Sequence, residues 1–216
     1  MRKDRNLRMC EKVIKMKRED NEKRHFNKMN QEDLPLKITA MIGSLREQSY
    51  NLQLASTIQE RYRSRFELLM ADIRSLPLFN QDEEEDAPQA VRLLRSAIKE
   101  ADGVMLITPE YNWSVPGVLK NALDWLSRVE RVMTGKPVLI AGASTSHMGT
   151  IRAQLHLRQI LAGMRAEVLP PAGNEILIQS AAAKFDPHAG RLTDETMLQH
   201  LDGVIGRFVE FVQASR

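Results

Sequence analysis

The sequence predicts an α/β protein built on a parallel sheet covered by helices on both faces, and three observations carry that prediction. Short apolar runs alternate along the chain with stretches of helical spacing, which is the pattern of βαβ units. The run over residues 103–108 is apolar throughout, as strands buried on both faces are. The chain has 216 residues, 43% of them hydrophobic, which provides for one sizeable core.

The elements follow in order. Residues 37–43 form a short apolar run that ends in Gly43 before a polar turn, and a helical pattern runs from Leu52 to Tyr62. A second strand is expected over residues 66–71. A long loop comes next, marked by Pro77, the acidic run 82–86 and Pro88. Val91, Leu94, Ala97 and Ile98 give residues 89–101 helical spacing, ahead of the strand at 103–108. A helix over 117–129, a strand over 137–143 and a helix over 151–165 continue the alternation. A short strand near 175–178 and a closing helix from Thr193 to about Gln213 complete a domain of residues 36–216. There are no internal repeats.

Composition excludes several classes. The one cysteine, Cys10, rules out a disulfide scaffold and a cysteine-based metal site, and it suits a reducing cytoplasm. No apolar stretch approaches the ~20 residues of a membrane span, and the N-terminus has no apolar core that would make it a secretory signal. The net charge of +3 resides in residues 1–33, which hold 11 Lys/Arg and 7 Asp/Glu; the remainder stands at −1. The body therefore gives no electrostatic reason to expect nucleic acid. Residues 1–35 read as a basic, disordered extension, with a short amphipathic helix through Leu7, Cys10, Val13 and Ile14 as the alternative, and translation is expected to start at Met29.

Ligands of open parallel sheets bind beyond the carboxyl ends of the strands, so the loops after the first, third and fourth strands are the informative ones. The first, Gly43-Ser44-Leu45-Arg46-Glu47-Gln48-Ser49-Tyr50-Asn51, matches neither a dinucleotide fingerprint nor a Walker loop. It is a hydroxyl-rich turn with one arginine at a helix start. Ser44, Ser49 and Asn51 as donors, Arg46 as charge and the helix dipole suit a terminal phosphate; the alternative is plain capping by Ser49. In the second loop, over residues 109–117, Tyr111 and Trp113 with nearby amides suit a flat heterocycle, or else simply cover the sheet end. The third, over 142–149, is rich in small and hydroxyl residues that let a ring approach the backbone. His147 there invites a catalytic role, with a solvated or packed loop histidine as the alternative, and the carboxylates Glu110 and Asp124 lack a partner arrangement that suggests acid/base pairing. No His/Asp/Glu cluster has metal-ligand spacing, and no metal is expected.

Three ordered stretches, Gly43-Ser44-Leu45-Arg46 through Ser49-Tyr50-Asn51, the loop PEYNWSVPG at 109–117, and LKNALDWLS at 119–127, together resemble the NADPH-dependent FMN reductase family. This flavodoxin-like group includes bacterial chromate/quinone reductases and azoreductases. His156-Leu157-Arg158-Gln159-Ile160-Leu161 makes the resemblance strongest to the chromate/quinone branch. The resemblance implies a three-layer flavodoxin-like sandwich with a five-stranded parallel sheet in the order 2-1-3-4-5. It implies that Ser44, Leu45, Arg46, Ser49, Tyr50 and Asn51 hold the FMN phosphate. Pro109, Glu110, Tyr111, Asn112 and Trp113 would line the isoalloxazine ring, largely through main chain, and Ser144 would supply a third contact. Two positions depart from the family pattern: Trp113, commonly Tyr, and Thr150-Ile151, commonly Gly-Gly. The chemistry implied is hydride transfer from NADPH or NADH through the flavin, with no catalytic side chain, to quinone, azo, flavin or chromate-type acceptors in ping-pong fashion. A flavodoxin-type electron carrier is the alternative. The resemblance implies a homodimer or homotetramer; the helix bearing Val118, Leu119, Ala122, Leu123, Trp125 and Leu126 is more apolar than one buried face requires, which suits an interface or, equally, a helix well packed on the sheet.

Overall fold

Strand β1 (Leu36–Ile42) lies between β2 (Phe66–Ala71), at the edge of the sheet, and β3 (Gly103–Ile107), at its centre. The structure is a computed structural model and describes residues 35–216; the expectations for residues 1–34, including the extension, its amphipathic alternative and the start at Met29, lie outside the described residues. Beyond β3 stands β4 (Pro137–Ala143), and two short strands, β5 (Glu167–Val168) and β6 (Ile176–Ile178), share the far position. All these pairs are parallel, in the order β2-β1-β3-β4-β5. β5 pairs with Pro137 and Val138, and β6 with residues 141–143 of the same strand.

The fifth strand is therefore broken in two, where the sequence predicts one piece near 175–178. Pro170 and Pro171 explain the break. They carry no N–H to donate, so pairing stops soon after the Leu169 N–H reaches the Val138 carbonyl at 2.9 Å. A hairpin of β7 (Phe185–Asp186) and β8 (Arg191–Leu192) forms a separate antiparallel pair that the sequence reading leaves as loop.

Alternation along the strands sorts side chains into two cores. Ile38, Ala40, Met105, Ile107, Leu139 and Ala141 face helices α1 (Tyr50–Arg61) and α5 (Glu195–Ala214). Met41, Val104, Leu106, Val138 and Ile140 face α2 (Gln89–Glu100), α3 (Gly117–Leu126) and α4 (Ile151–Gly163). Each helix turns an i, i+3, i+4 stripe inward: Leu54, Ala55 and Ile58 on α1, and Val91, Leu94 and Ile98 on α2. The apolar excess of α3 is absorbed within the chain, because Leu119, Ala122, Leu123, Trp125 and Leu126 are all buried. The Trp125 indole also donates to the Pro77 carbonyl at 2.9 Å, and Asn121 bonds both Pro77 and Phe79. The long loop after β2 is thereby tied to α3.

Candidate functional site

Three loops meet at the carboxyl edge of the sheet because specific backbone groups join them. The Gly43 N–H donates to the Ile107 carbonyl at 2.8 Å and the Thr108 N–H to the Ala141 carbonyl at 2.9 Å. A Cβ on Gly43 would stand 3.2 Å from Pro109 and 3.3 Å from Thr108, so the absence of a side chain lets the first loop lie against the second. Asn51 makes the strongest tie. Its Nδ2 donates to the Ala143 carbonyl at 3.0 Å while its Oδ1 accepts from the Ala143 N–H at 2.9 Å, all of it buried.

The first loop leads into α1. Ser49 is buried and caps the helix, its Oγ accepting from the Asn51 N–H at 3.2 Å, and the Ser49 N–H closes a turn onto the Arg46 carbonyl at 3.1 Å. The capping reading of Ser49 is thus present in the structure, and its hydroxyl proton stays available to a ligand. Among the described residues, the main-chain N–H groups of Ser44, Leu45, Arg46, Glu47 and Gln48 donate to no protein acceptor. A row of such donors in front of a 12-residue helix is an anion cradle, reinforced by the helix dipole. Arg46 stands 5.9 Å from the Tyr50 ring centroid, and Tyr50 in turn packs against Phe185 at 5.3 Å. A second guanidinium, Arg74, donates to the Leu45 carbonyl at 2.7 Å. No local motif in the sequence pointed to it.

The second loop is a tight two-residue turn. Tyr111 and Ser114 exchange backbone hydrogen bonds of 3.1 and 3.0 Å around Asn112 and Trp113, whose φ angles are +49° and +65°. Both central residues are left-handed, as hairpin turns of the I′ type require, yet neither is glycine. Such conformations cost on the order of 1–3 kcal/mol each and persist where surrounding structure over-determines them. Glu110 does not face an open site: its carboxylate accepts from the N–H groups of Arg152 (2.8 Å) and Ala153 (3.2 Å) and pairs with the Arg152 guanidinium at 3.1 Å, capping α4. Pro109 is buried, while Asn112 is exposed.

In the third loop the Ser144 N–H donates to the Ile178 carbonyl at 2.9 Å, and Ser144 Oγ accepts from the Ser146 N–H at 3.1 Å. His147 is exposed, and among the described residues its ring shares a hydrogen bond with the Ser180 hydroxyl, at 3.5 Å. Asp124 is held by Lys120 at 2.7 Å on the surface of α3. The residues at the rim fit FMN. Unbonded N–H groups and Arg46 suit its phosphate, and the exposed side chains of Leu45 (43%), Tyr111 (51%) and Trp113 (70%) suit a flat ring. Among the described residues no helix is long and apolar enough to cross a membrane.

Known proteins resemble this chain in sequence and in fold. The sequence model of the NADPH-dependent FMN reductase family matches residues 36–176. A quinone reductase of Escherichia coli K12 is 42% identical over 183 residues, 82% of this chain and 96% of that protein. An NAD(P)H-dependent FMN reductase of Pseudomonas aeruginosa is 42% identical over 162 residues, 74% of this chain and 86% of its own length. Among solved structures, the flavoenzyme NAD(P)H:(acceptor) oxidoreductase FerB of Paracoccus denitrificans superimposes with a TM-score of 0.77 at 34% identity, covering 83% of this chain and 98% of its own. The chain belongs to the NADPH-dependent FMN reductase family and is an FMN-dependent, NAD(P)H-linked oxidoreductase.

Proposed function

We propose that the protein holds FMN across the loops 43–51, 109–117 and 142–149 and passes electrons from NADPH or NADH to quinone, azo, flavin or chromate-type acceptors by a ping-pong mechanism. The observation that carries the reading is the row of unbonded N–H groups from Ser44 to Gln48 beside Arg46, at the N-terminus of α1. A relative 42% identical that is named a quinone reductase supports quinones among the acceptors.

Bound FMN would supply the redox chemistry that links the nicotinamide to the acceptor. The chain's residues bind and orient. The loop amides, the Ser44 and Ser49 hydroxyls and Arg46 receive the phosphate, with Leu45 and Tyr50 shaping the same loop. Asn51 acts through Ala143, holding the first and third loops at a fixed separation, and Ser144 presents the edge of the third loop. Pro109, Tyr111, Asn112 and Trp113 back the ring, and Glu110 holds that loop against α4. Residues that backed one face of the ring would leave the other face to donor and acceptor in turn, which is the basis of the ping-pong order we propose.

We read the working form as a cytoplasmic homodimer or homotetramer, as the family resemblance implies; light scattering on the eluted protein that returns a monomer mass would refute the oligomer. The test of the function is the visible spectrum of the purified protein before and after anaerobic NADPH. Flavin absorbance that bleaches on addition is expected. Flavin absorbance indifferent to both NADPH and NADH would make the protein a carrier. A colourless protein that takes up no added FMN would overturn the site.

A further inference from the structure

The turn after β3 is gripped from one side by α4 at two points one helical turn apart. The Arg152 guanidinium lies 4.1 Å over the Trp113 ring, and Ser114 Oγ shares a 3.0 Å hydrogen bond with His156 Nδ1. Residues 152 and 156 stand at i and i+4, so they share a face of the helix. Trp113 is 70% exposed, so core packing does not orient its indole. Its guanidinium neighbour is itself fixed, because the Glu110 carboxylate pairs with it at 3.1 Å and is only 10% exposed. The grip therefore falls on the one segment of the site whose backbone is left-handed at two successive non-glycine residues.

We propose that Arg152 and His156 are positioning residues that hold the turn from Tyr111 to Ser114 in its left-handed form, so that Trp113 stands as a preformed wall for the ring of the flavin rather than for its phosphate. The inference rests on the FMN reading above. Arg152→Ala leaves both main-chain bonds from α4 to Glu110, so the start of the helix is kept; what goes is the plate against the indole. The turn is then free to leave its strained form, and the wall is no longer in place before the ring arrives.

The test separates ring from phosphate by titrating flavin-free protein with FMN and with riboflavin, which lacks the phosphate, and following flavin fluorescence. Arg152→Ala is expected to weaken both ligands by the same factor, roughly two- to fivefold, the scale of a cation–π contact at an exposed ring. Arg46→Ala is expected to weaken FMN and leave riboflavin unchanged. Arg152→Lys keeps a cation for Glu110, and with it the fold, but has no plane to lay on the indole, so it should weaken both flavins together as well. His156→Ala should act in the same direction, with rescue by His156→Gln, which still reaches Ser114. A readout without flavin is acrylamide quenching of tryptophan emission. Trp125 is fully buried, so quenching reports Trp113, and it should rise in Arg152→Ala. Wild-type affinity for both flavins and unchanged quenching in the Arg152 variants would overturn the inference, as would loss of FMN binding with riboflavin binding intact. Wild-type protein that binds neither flavin would overturn the FMN reading itself.

Discussion

Asn51 joins two of the three loops with one side chain. Its amide satisfies both the N–H and the carbonyl of Ala143, a residue 2% exposed, so nothing else nearby replaces it. An unmade buried hydrogen bond costs about 1–3 kcal/mol, so Asn51→Ala should destabilise the protein by about 2–4 kcal/mol. For a domain of this size that lowers Tm by roughly 2–4 °C per kcal/mol, measurable by calorimetry. Asn51→Asp should give no rescue, since a carboxylate keeps the acceptor for the N–H yet faces the Ala143 carbonyl with no proton to donate. A variant with unchanged Tm would remove Asn51 from this role. The sequence makes Asn51 visible as part of an ordered hydroxyl-rich turn, but its partner lies 92 positions away, and that distance hides what the side chain does. The same holds for Glu110, read from its loop as a ring neighbour and found capping α4 across 42 positions. Arg74 and Arg152 carry no local signal at all, and His156 enters only through the stretch 156–161 that marks the chromate/quinone branch, with no hint of its partner. Motif reading finds the loop a residue belongs to; the partner it is spoken for by depends on which loops the sheet brings together.

At the scale of elements, β4 and α4 meet at a point where only hydrogen fits. A Cβ on Gly142 would fall inside the Thr150 hydroxyl and against the Thr108 carbonyl. Gly142→Ala should therefore destabilise by about 1–3 kcal/mol, the usual cost of overpacking, and push the third loop away from the second. The double variant Gly142→Ala/Thr150→Ala should recover only part of the loss, because the Thr108 carbonyl is backbone and stays. Full recovery in chemical denaturation would show that Thr150 was the sole obstacle. Thr150 is fully buried, with its hydroxyl beside Gly142 of β4. The central strands and the helices were legible from apolar runs and helical spacing, because burial on both faces leaves an unbroken apolar signature. The far edge was legible in part: the short strand expected near 175–178 is β6, whereas β5 has two residues, too short for periodicity, and the prolines that part the two read simply as loop.

For the molecule as a whole, helices α1 and α5, on the same face of the sheet, are joined by a charged cluster whose titration bounds the stable pH range. The Arg61 guanidinium grips Asp202 with bonds of 2.8 and 2.7 Å, and the Tyr62 hydroxyl donates to the same carboxylate at 2.7 Å. The hydrogen bonds from Arg61 hold the Asp202 carboxyl at about 2, below the ordinary 3.9. Asp102 behaves alike: burial pushes its carboxyl up, but the bonds from Arg216 and the Lys37 N–H outweigh it and leave it low. A carboxyl lowered in the folded state contributes stability above its unfolded value, and the contribution is lost as pH falls through the folded one. Stability should thus hold near neutrality and fall between about pH 4 and pH 2. Tyr62 has the opposite sign. Burial first, then Asp202, raises its hydroxyl above the ordinary value, so its share is present below about pH 10 and lost as pH rises further. Asp202→Asn should flatten part of the acid fall in denaturation curves taken at stepped pH. The effect should shrink in high salt, since the Arg61 and Asp202 side chains are 40% and 42% exposed and ions screen them. An acid limb identical in the variant and in the wild type would assign the fall to other carboxylates.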